Sequence, residues 1–467
     1  MQIMKNYKFE QFINYLKDKK VAFLGLGVSH IDTIKMMAKY GINITVRDKK
    51  NIKDVSEELI QELNSLNVKC IFGSNYLENI TENVVFRTPG MNFNHPIFAQ
   101  LHQNGVIVTS EMEVFFDLCP CKILGVTGSD GKTTTSTLIS LMLEADGCKV
   151  YLGGNIGKPL LPIIESINPN DYVVTELSSF QLISMRKSPN ISVITNIAPN
   201  HLDVHKDMEE YVNSKKNIFL HQSAMDKIVI NLDDNICRHF ADETRSIIST
   251  FSHKRKILSG AFVDDNGDIY LVDKDSKDLL FNTKDIILPG EHNIDNYLAA
   301  IVATQNIVSK SVYKDIAKNF KGVEHRIEFV KEINGVKWYN DSIATSPTRT
   351  IAGLKSFKKK VILIAGGYDK HIPYEPLVPH ILDKVKQLIL TGDTSESIYR
   401  AVVSCEEYSK SDIKINKVKN LEEAVNLANQ TAVEDDIVLL SPASASFDCY
   451  KNFEARGTHF KKLVCSL

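Results

Sequence analysis

Short runs rich in valine and isoleucine alternate with longer amphipathic stretches along most of this chain, and this alternation limits the fold more than any other feature. Strands that are apolar on both faces are typical of parallel sheets covered by helices. The pattern therefore predicts an α/β protein built in layers. The predicted buried strands are residues 21–26, 44–46, 84–86, 123–126, 172–175, 193–196, 228–231, 361–365, 388–391 and 437–441.

The length predicts several domains. A chain of 467 residues corresponds to about three domains at roughly 150 residues each. The proline between Cys119 and Cys121 and the Lys321-Gly322 pair are suitable joints. We predict three domains at residues 1–119, 120–322 and 323–467: a Rossmann-like N-terminal domain, a central parallel sheet like that of P-loop ATPases, and a Rossmann-like C-terminal domain.

Composition excludes several classes of protein. Hydrophobic residues make up 43% and charged residues 24% of the chain, which is typical of globular domains and not of disordered chains. The net charge of −2 gives no basic field for nucleic acid. No apolar run is long enough to span a membrane, and the N-terminus lacks the pattern of a signal peptide. The eight scattered cysteines predict free thiols in a reducing, cytoplasmic environment.

The first section contains part of a dinucleotide-binding motif. Gly25 and Gly27 follow the first predicted strand, but His30 stands where the motif has its third glycine. Asp48 follows the second strand, where an acidic residue often contacts a ribose hydroxyl, and Thr88 ends the third strand. These residues leave three interpretations open: binding of a nucleotide diphosphate, NAD chemistry, or a purely structural βαβ unit.

The second section contains a phosphate-binding loop. A glycine-rich loop lies between a buried strand and a helix, so its amides and the helix N-terminus form an anion site. Lys132 is placed to reach the β- and γ-phosphates of a nucleotide, and the Thr133 hydroxyl to bind Mg²⁺. The spacing is that of a shortened variant of the motif. The predicted nucleotide-binding residues here are Gly128, Ser129, Asp130, Gly131, Lys132, Thr133 and Thr134.

Two further polar positions follow strands of the same section, where open α/β sheets build their sites. Glu176 ends one apolar strand and is a natural Mg²⁺ ligand beside a phosphate loop. His201 follows the next strand and could bind metal or polarise an acyl oxygen. Taken alone, a histidine at such a position is more often an ordinary loop residue.

At these residues the sequence resembles the Mur ligases, the ATP-dependent amide ligases of peptidoglycan synthesis. The resemblance extends over the whole chain. It is carried by the segments 128–134, Glu176, 201–203, 291–296, 325–326 and 340–342, and by 176–182, 441–448 and 451–457, which are typical of the member that adds D-glutamate. The resemblance implies phosphorylation of the carboxylate of UDP-N-acetylmuramoyl-L-alanine by ATP, followed by attack of D-glutamate on the acyl phosphate.

The resemblance also implies roles for residues around ATP. Domain 120–322 would bind ATP with Mg²⁺. Thr133 and Glu176 would hold one Mg²⁺, and His201 and Lys215 a second one, with Lys215 carbamylated and, with Lys132 and His201, catalytic. The remaining ATP contacts would be Asn293 and Asn296 at the adenine, Arg326 at a phosphate and Asp341 at the ribose.

Both substrates are assigned residues in the same way. Domain 1–119 would bind the UDP end of the acceptor, and domain 323–467 the amino acid. The implied contacts to the UDP end are Asp48 and Thr88, Asn155 lies on an implied substrate-facing loop, and Ser178 is a further implied substrate contact. The implied D-glutamate pocket is Thr345, Lys370, Ser446, Phe447 and Phe453. A monomeric cytoplasmic enzyme with no nucleic-acid or membrane partner is expected.

Three residues depart from the family pattern. Asn200 stands where many relatives have Asp, Ile343 where some have Lys, and Ser346 where Asn is common. They put details of the site in doubt and leave the phosphate loop intact. Other interpretations remain: a sibling Mur or folylpolyglutamate-type ligase adding a different amino acid, a nucleotide-regulated binding module without catalysis, or an NAD-dependent dehydrogenase.

Overall fold

The computed structural model describes residues 6–157, 159–200 and 204–467, and shows an α/β protein with three sheets in which parallel pairing dominates. The chain forms two compact units. The first comprises Met1–Thr283 and Asp295–Ile316, and the second Lys284–Ile294 and Ala317–Leu467. The first two sheets belong to the first unit and the third sheet to the second. The predicted α/β class is confirmed, while the division into three domains stays a prediction.

The first sheet has five parallel strands in the order β3-β2-β1-β4-β5. The strand order reverses between β1 and β4, because β2 and β3 lie on one side of this pair and β5 on the other. Open α/β sheets form a crevice for ligands at such a point. The strands are β1 (Lys20–Leu24), β2 (Asn43–Asp48), β3 (Lys69–Phe72), β4 (Val84–Arg87) and β5 (Ile107–Thr109). The helices are α1 (Tyr7–Lys17), α2 (Val28–Lys39), α3 (Glu57–Ser65), α4 (Pro96–Gln103) and α5 (Glu111–Leu118).

His30 occupies the position of the third glycine of the dinucleotide motif, and its side chain packs between α2 and the first sheet. Its ring is fully buried, packs edge-on against Phe23 of β1, and lies with Nδ1 2.8 Å from the Gly25 carbonyl oxygen. Burial lowers the pKa of His30 to about 4. A neutral imidazole therefore fills the space between α2 and the sheet.

The second sheet has nine strands in the order β14-β13-β12-β11-β10-β9-β6-β8-β7. The pairs from β7 to β12 are parallel, and β12, β13 and β14 form an antiparallel edge. The strands are β6 (Lys122–Thr127), β7 (Val150–Gly154), β8 (Tyr172–Glu176), β9 (Ile191–Ile194), β10 (Lys227–Asn231), β11 (Ile247–Ser252), β12 (Gly260–Val263), β13 (Asp268–Asp273) and β14 (Ser276–Asn282). The helices in this part of the chain are α6 (Lys132–Ala145), α7 (Ser179–Leu182), α8 (Met208–Lys216), α9 (Glu291–Thr304) and α10 (Lys310–Asn319).

The third sheet has six strands in the order β15-β16-β20-β17-β18-β19, parallel except for the β15–β16 pair. Its central strands are buried on both faces between two hydrophobic clusters. The strands are β15 (Glu328–Ile333), β16 (Val336–Asn340), β17 (Val361–Ala365), β18 (Val385–Leu390), β19 (Lys414–Lys417) and β20 (Ile437–Leu440). The helices are α11 (Pro347–Lys355), α12 (Val378–Lys384), α13 (Ser395–Val403), α14 (Leu421–Thr431) and α15 (Phe453–Ser466).

All ten strands predicted from apolar runs are present, as β1, β2, β4, β6, β8, β9, β10, β17, β18 and β20. Their limits differ from the predicted ones by up to three residues. All eight cysteines are free thiols, as predicted. Within the described ranges, no helix has both the length and the apolar character needed to cross a bilayer.

Candidate active site

The glycine-rich loop leaves strand β6 and enters helix α6 in a conformation that requires glycine at two positions. Gly131 has φ +79°, and a Cβ added there would overlap Asn296 Oδ1. A Cβ at Gly128 would overlap Thr195 Oγ1. Glycine at these two positions therefore allows the loop to lie close to its neighbours.

The other loop residues hold this conformation. Ser129 is buried, and its hydroxyl donates to the Ala198 carbonyl at 2.8 Å. The Asp130 amide donates to Asn196 Oδ1 at 3.0 Å. Thr134 is half-buried in the first turn of α6. The loop after β9 thus fixes the phosphate loop from the side.

Lys132 reaches back over the loop that precedes it. Its ammonium donates to the carbonyl oxygens of Gly128 at 2.9 Å and Ser129 at 2.8 Å. The positive charge therefore lies at the helix N-terminus, beside the loop amides, where a phosphate group would be stabilised.

Glu176 joins the phosphate loop to a second predicted site. Its side chain is 2% exposed. The Thr133 hydroxyl donates to Oε2 at 2.7 Å, and the Asn155 amide donates to Oε1 at 2.7 Å. The structure thus brings together two predicted metal ligands and one predicted acceptor contact. A hydroxyl and a carboxylate side by side are the hard oxygen donors that Mg²⁺ prefers.

Lys215 lies on helix α8 with its ammonium beneath the phosphate loop. It is 1% exposed, donates to the Gly128 carbonyl at 2.8 Å, and lies 4.8 Å from the centre of the Tyr211 ring. Burial, and next the nearby charge of Lys132, lowers the pKa of Lys215 to about 7. A substantial fraction of this amine is therefore neutral at neutral pH, which is the form that reacts with carbon dioxide.

His201, the remaining predicted metal ligand, lies outside the described residues. Its predicted role in metal binding and catalysis stays a prediction.

A cleft of about 330 Å³ opens between the carboxyl ends of the first and second sheets of the first unit, and its lining includes Asn155, the hydrogen-bond partner of Glu176. Two predicted acceptor contacts, Thr88 and Asn155, line it. Ser178 caps helix α7, where its hydroxyl donates to Gln181 Oε1 at 2.9 Å, and Gln181 lines the cleft in turn. The lining residues are Gly27, Thr88, Pro89, Gly90, Ser110, Glu111, Met112, Gly154, Asn155, Gly157, Pro159 and Gln181.

Asp48 lies at the end of β2 and binds backbone rather than facing this cleft. Its carboxylate accepts hydrogen bonds from the Leu26 amide at 2.6 Å and the Lys50 amide at 2.9 Å. It therefore holds the glycine loop after β1 in place. Whether it also contacts a ligand stays a prediction.

The structure adds two charged residues that the sequence did not single out. Arg87, 2% exposed, donates to the Phe180 carbonyl at 3.1 Å and to Ser184 Oγ at 3.2 Å, so it ties β4 to the segment around α7. Glu111 accepts the Leu161 amide at 2.8 Å, and burial raises its pKa to about 7. Arg87 ends an apolar strand, and this position could have marked it as a candidate from the sequence. No sequence pattern indicates that Glu111 is buried.

In the second unit, Asp341 is buried at the end of β16. Ser441 Oγ donates to it at 2.7 Å and the Ile327 amide at 3.3 Å, and burial raises its pKa to about 7. Arg326 lies between two residues with positive φ, His325 and Ile327, and its charge acts on Asp341.

The two asparagines predicted at the adenine both lie on helix α9. The Asn293 amide donates to the Pro289 carbonyl at 2.6 Å. Asn296, in the first unit, accepts from the Thr135 hydroxyl at 3.1 Å and contacts the phosphate loop at Gly131.

The predicted D-glutamate residues follow the carboxyl ends of three strands of the third sheet. Thr345 follows β16, Lys370 follows β17, and Ser446 follows β20. Ser446 is buried, whereas Lys370 is exposed and Phe447 is 61% exposed. Phe453 begins α15 and packs edge-on against His325.

Buried Arg456 connects the loops that carry these residues. Its guanidinium donates to the Ser342 carbonyl at 3.0 Å, the Ser444 carbonyl at 3.1 Å and the Ala445 carbonyl at 2.9 Å. The sequence placed Arg456 in a motif without giving it this role. Its hydrogen bonds hold the loops after β16 and β20 together.

The phosphate loop follows β6, which pairs in parallel with β8 and β9, and the neighbouring strand β8 ends in the Glu176 carboxylate. This arrangement defines a nucleotide-binding α/β protein. Comparison with models of protein families identifies the family within this class. Residues 126–304 match the model of the Mur ligase middle domain, and residues 325–444 match that of the Mur ligase glutamate ligase domain.

Relatives of known name match over the full length. The chain is 51% identical over 465 residues to a UDP-N-acetylmuramoylalanine--D-glutamate ligase from Acetivibrio thermocellus, with 99% of each chain covered. It is 47% identical over 463 residues to a protein of the same name from Clostridium acetobutylicum, with 98% of this chain and 99% of that one covered. The chain therefore belongs to the Mur ligase family.

Solved structures agree with this fold. The UDP-N-acetylmuramate-alanine ligase MurC from Thermotoga maritima aligns with a TM-score of 0.57 at 18% identity, over 96% of this chain and 99% of that one. MurF from Acinetobacter baumannii aligns with a TM-score of 0.55 at 14% identity, over 82% of this chain and 90% of that one. At these identities the likeness concerns the fold alone.

Proposed function

We propose that this chain is an ATP-dependent amide ligase that joins D-glutamate to UDP-N-acetylmuramoyl-L-alanine through an acyl phosphate, in peptidoglycan precursor synthesis. Its full-length relatives carry the name of that ligase. The observation that carries the proposal is the Glu176 carboxylate held between Thr133 and Asn155. One side chain thereby connects the phosphate loop to the neighbouring cleft, as transfer of phosphate to an acceptor requires.

The nucleotide is assigned to the loop 128–134. Its amides and the Lys132 ammonium would stabilise the phosphates, and Asn296, which contacts the loop, would lie on the adenine side. Asn293 at the adenine, Arg326 at a phosphate and Asp341 at the ribose complete the proposed set.

The donor set at the loop fits Mg²⁺. Thr133 and Glu176 offer a hydroxyl and a carboxylate oxygen 2.7 Å apart. Bound there, Mg²⁺ would neutralise charge on the phosphates. Thr133 is held in position by Glu176, and Glu176 by Asn155.

Lys215 is proposed to carry a carbamate and, with His201, to hold a second Mg²⁺. The support is its deep burial and lowered pKa, which provide the neutral amine that carbon dioxide requires. A carbamate would convert a buried cation into an anionic oxygen ligand.

The cleft lined by Thr88 and Asn155 is proposed to hold the acceptor, with Ser178 positioning Gln181 at its edge. Asp48 would contribute at the UDP end by fixing the loop after β1. In the second unit, Lys370, Thr345 and Ser446 would bind the carboxylates of D-glutamate, and Phe447 and Phe453 would shape the pocket.

The domain roles follow from these assignments: residues 1–119 for the UDP-linked acceptor, 120–322 for ATP and 323–467 for the amino acid. We propose a cytoplasmic monomer. The eight free thiols agree with a reducing compartment.

An amino-acid screen tests the proposal. The purified chain is incubated with ATP, Mg²⁺ and UDP-N-acetylmuramoyl-L-alanine, and ADP release is followed with D-glutamate, L-glutamate, L-alanine or meso-diaminopimelate. We expect turnover with D-glutamate and little with its enantiomer. Turnover with a different amino acid would identify a sibling ligase, and ATP binding without turnover would identify a binding module.

A further inference from the structure

Two cysteines lie next to each other where helix α5 ends and strand β6 begins. The sulfur atoms of Cys119 and Cys121 are 3.7 Å apart, with a single proline between the residues. A disulfide requires about 2.05 Å between the sulfurs. Only Pro120 separates the two residues in sequence, so closure of this gap would involve the short connection between α5 and β6.

The two thiols differ in accessibility and acidity. Cys119 is half-buried, whereas Cys121 is 9% exposed. The hydrogen bond from Cys121 lowers the pKa of the Cys119 thiol, and the same bond together with burial raises the pKa of Cys121. Lys8 adds a favourable charge near Cys119. Thiolate is the reactive form, so Cys119 is the thiol that attacks first.

We propose that Cys119 and Cys121 form a redox-active dithiol that closes to an intramolecular disulfide. The oxidant belongs to the class of small-molecule disulfides. The Cys119 thiolate attacks one sulfur of such a disulfide and expels one thiolate. Cys121 then loses its proton to solvent and attacks the Cys119 sulfur, which expels the second thiolate. The two cysteines lose two electrons, and the small disulfide is reduced to two thiols.

The two cysteines lie in the connection between helix α5 and strand β6, so a disulfide there would affect both elements. Cys119 ends helix α5, where its amide donates to the Phe115 carbonyl at 2.8 Å. The first turn of that helix carries Glu111 and Met112 of the cleft. Cys121 directly precedes β6, which leads into the phosphate loop. A disulfide would constrain the segment that joins these two parts of the first unit.

Mass spectrometry of tryptic peptides tests the proposal, because trypsin releases both cysteines in one peptide. No lysine or arginine occurs between Arg87 and Lys122, and residues 88–122 contain no cysteine besides these two. The folded protein is treated with glutathione disulfide, its remaining thiols are alkylated, and it is digested without reduction. We expect peptide 88–122 to lose two hydrogens and to carry no alkyl group, and dithiothreitol to restore double alkylation.

Single variants separate the two steps. In Cys121→Ser, the attack by Cys119 still occurs but closure cannot, so we expect glutathione to remain attached to Cys119. In Cys119→Ser, we expect several-fold less adduct on Cys121, because this thiol is buried. The exposed Cys449 serves as an internal control for reactivity. A peptide 88–122 that stays doubly alkylated while Cys449 carries glutathione would overturn the proposal, as would a disulfide from Cys119 or Cys121 to any other cysteine.

Discussion

Individual side chains in this protein owe their chemistry to where the fold buries them. Lys215 and Lys216 are neighbours on α8, yet Lys215 is buried beneath the phosphate loop while Lys216 forms an ion pair with Glu243. The sequence places both on one helix and cannot distinguish their environments. The resemblance to Mur ligases selected Lys215, and its burial and lowered pKa support the proposed carbamylation.

Lys132→Ala is expected to reduce turnover by about a hundred- to a thousand-fold while the protein stays folded. The ammonium contacts loop carbonyls and contributes charge to the phosphate site rather than packing to the core. Steady-state ADP release and circular dichroism measure the two effects. Lys187→Ala, at an exposed lysine paired with Asp117, is the control and should keep full activity. A Lys132→Ala variant as active as the parent would refute the assignment of the loop.

Lys215→Ala is expected to lower activity by at least about ten- to a hundred-fold, the range seen when supports of a metal site are lost. Added formate or acetate should restore part of it by supplying an anionic oxygen in place of the carbamate. Lys216→Ala is the matched control on the same helix. It should keep the activity of the parent and should not be stimulated by formate or acetate. Full activity of Lys215→Ala without added carboxylate would remove the second-metal hypothesis.

At the level of elements, the strands that sequence predicted are those with apolar residues on both faces. The missed strands have other patterns. β3 and β5 are partly exposed edge strands, and β7 ends in two glycines. In the antiparallel β12–β14 edge, β13 alternates buried with partly exposed residues, and the pairing of these strands depends on contacts that no local pattern specifies. Strands buried in a parallel sheet can be predicted from their runs of apolar residues. Edge strands form through contacts with neighbouring strands, so their own sequence predicts them less well.

Two glycines at the two ends of helix α6 have similar backbone conformations but different surroundings. Gly131 and Gly147 both have positive φ, but an added Cβ at Gly147 has no atom within 4 Å, while at Gly131 it would overlap Asn296. Gly147→Ala should cost about 1 kcal/mol of backbone strain and leave nucleotide binding intact. Gly131→Ala should cost more and weaken ATP binding, as measured by calorimetry. Equal ATP affinity in both variants would contradict the proposed loop geometry.

The packing of α2 on the first sheet should depend on pH through His30. Its Nε2 is buried with no hydrogen-bond partner among the described residues, and Arg87 adds to the effect of burial in lowering the pKa to about 4 from 6.5. Between these values the unfolded chain binds more protons, so stability falls as pH drops from 6.5 towards 4. The loss attributable to this residue is about 3 kcal/mol at 1.36 kcal/mol per pH unit.

Urea unfolding of the parent and of His30→Gln, at about pH 7 and about pH 4, measures this contribution. Glu111 and Asp341, whose raised pKa values act in the opposite direction, are common to both proteins and cancel in the comparison. We expect the variant to lose less stability on acidification than the parent. Identical pH dependence would show that His30 carries no such penalty.

At the scale of the whole molecule, the sequence predicted the α/β class and the residues that later lie around the phosphate loop. Loop glycines, Lys132 and Glu176 are readable because strand ends and glycine spacing are local signals. Glu111 and Arg456 were not, since their importance arises from burial and from bonds to residues distant in the chain. Arg87 lies at the end of β4 and could have been singled out by its position, but its partners around α7 could not. The structure also shows Asp48 binding backbone, a contact that a match to a motif does not reveal.

The most direct test of the central claim follows oxygen from the acceptor carboxylate. UDP-N-acetylmuramoyl-L-alanine labelled with ¹⁸O in both oxygens of the alanyl carboxylate is incubated with the chain, ATP, Mg²⁺ and D-glutamate. The masses of the product and of the inorganic phosphate are then measured by mass spectrometry. Activation as an acyl phosphate predicts an amide product containing D-glutamate and one ¹⁸O atom in each phosphate released. Unlabelled phosphate, or no amide product with D-glutamate, would contradict the account.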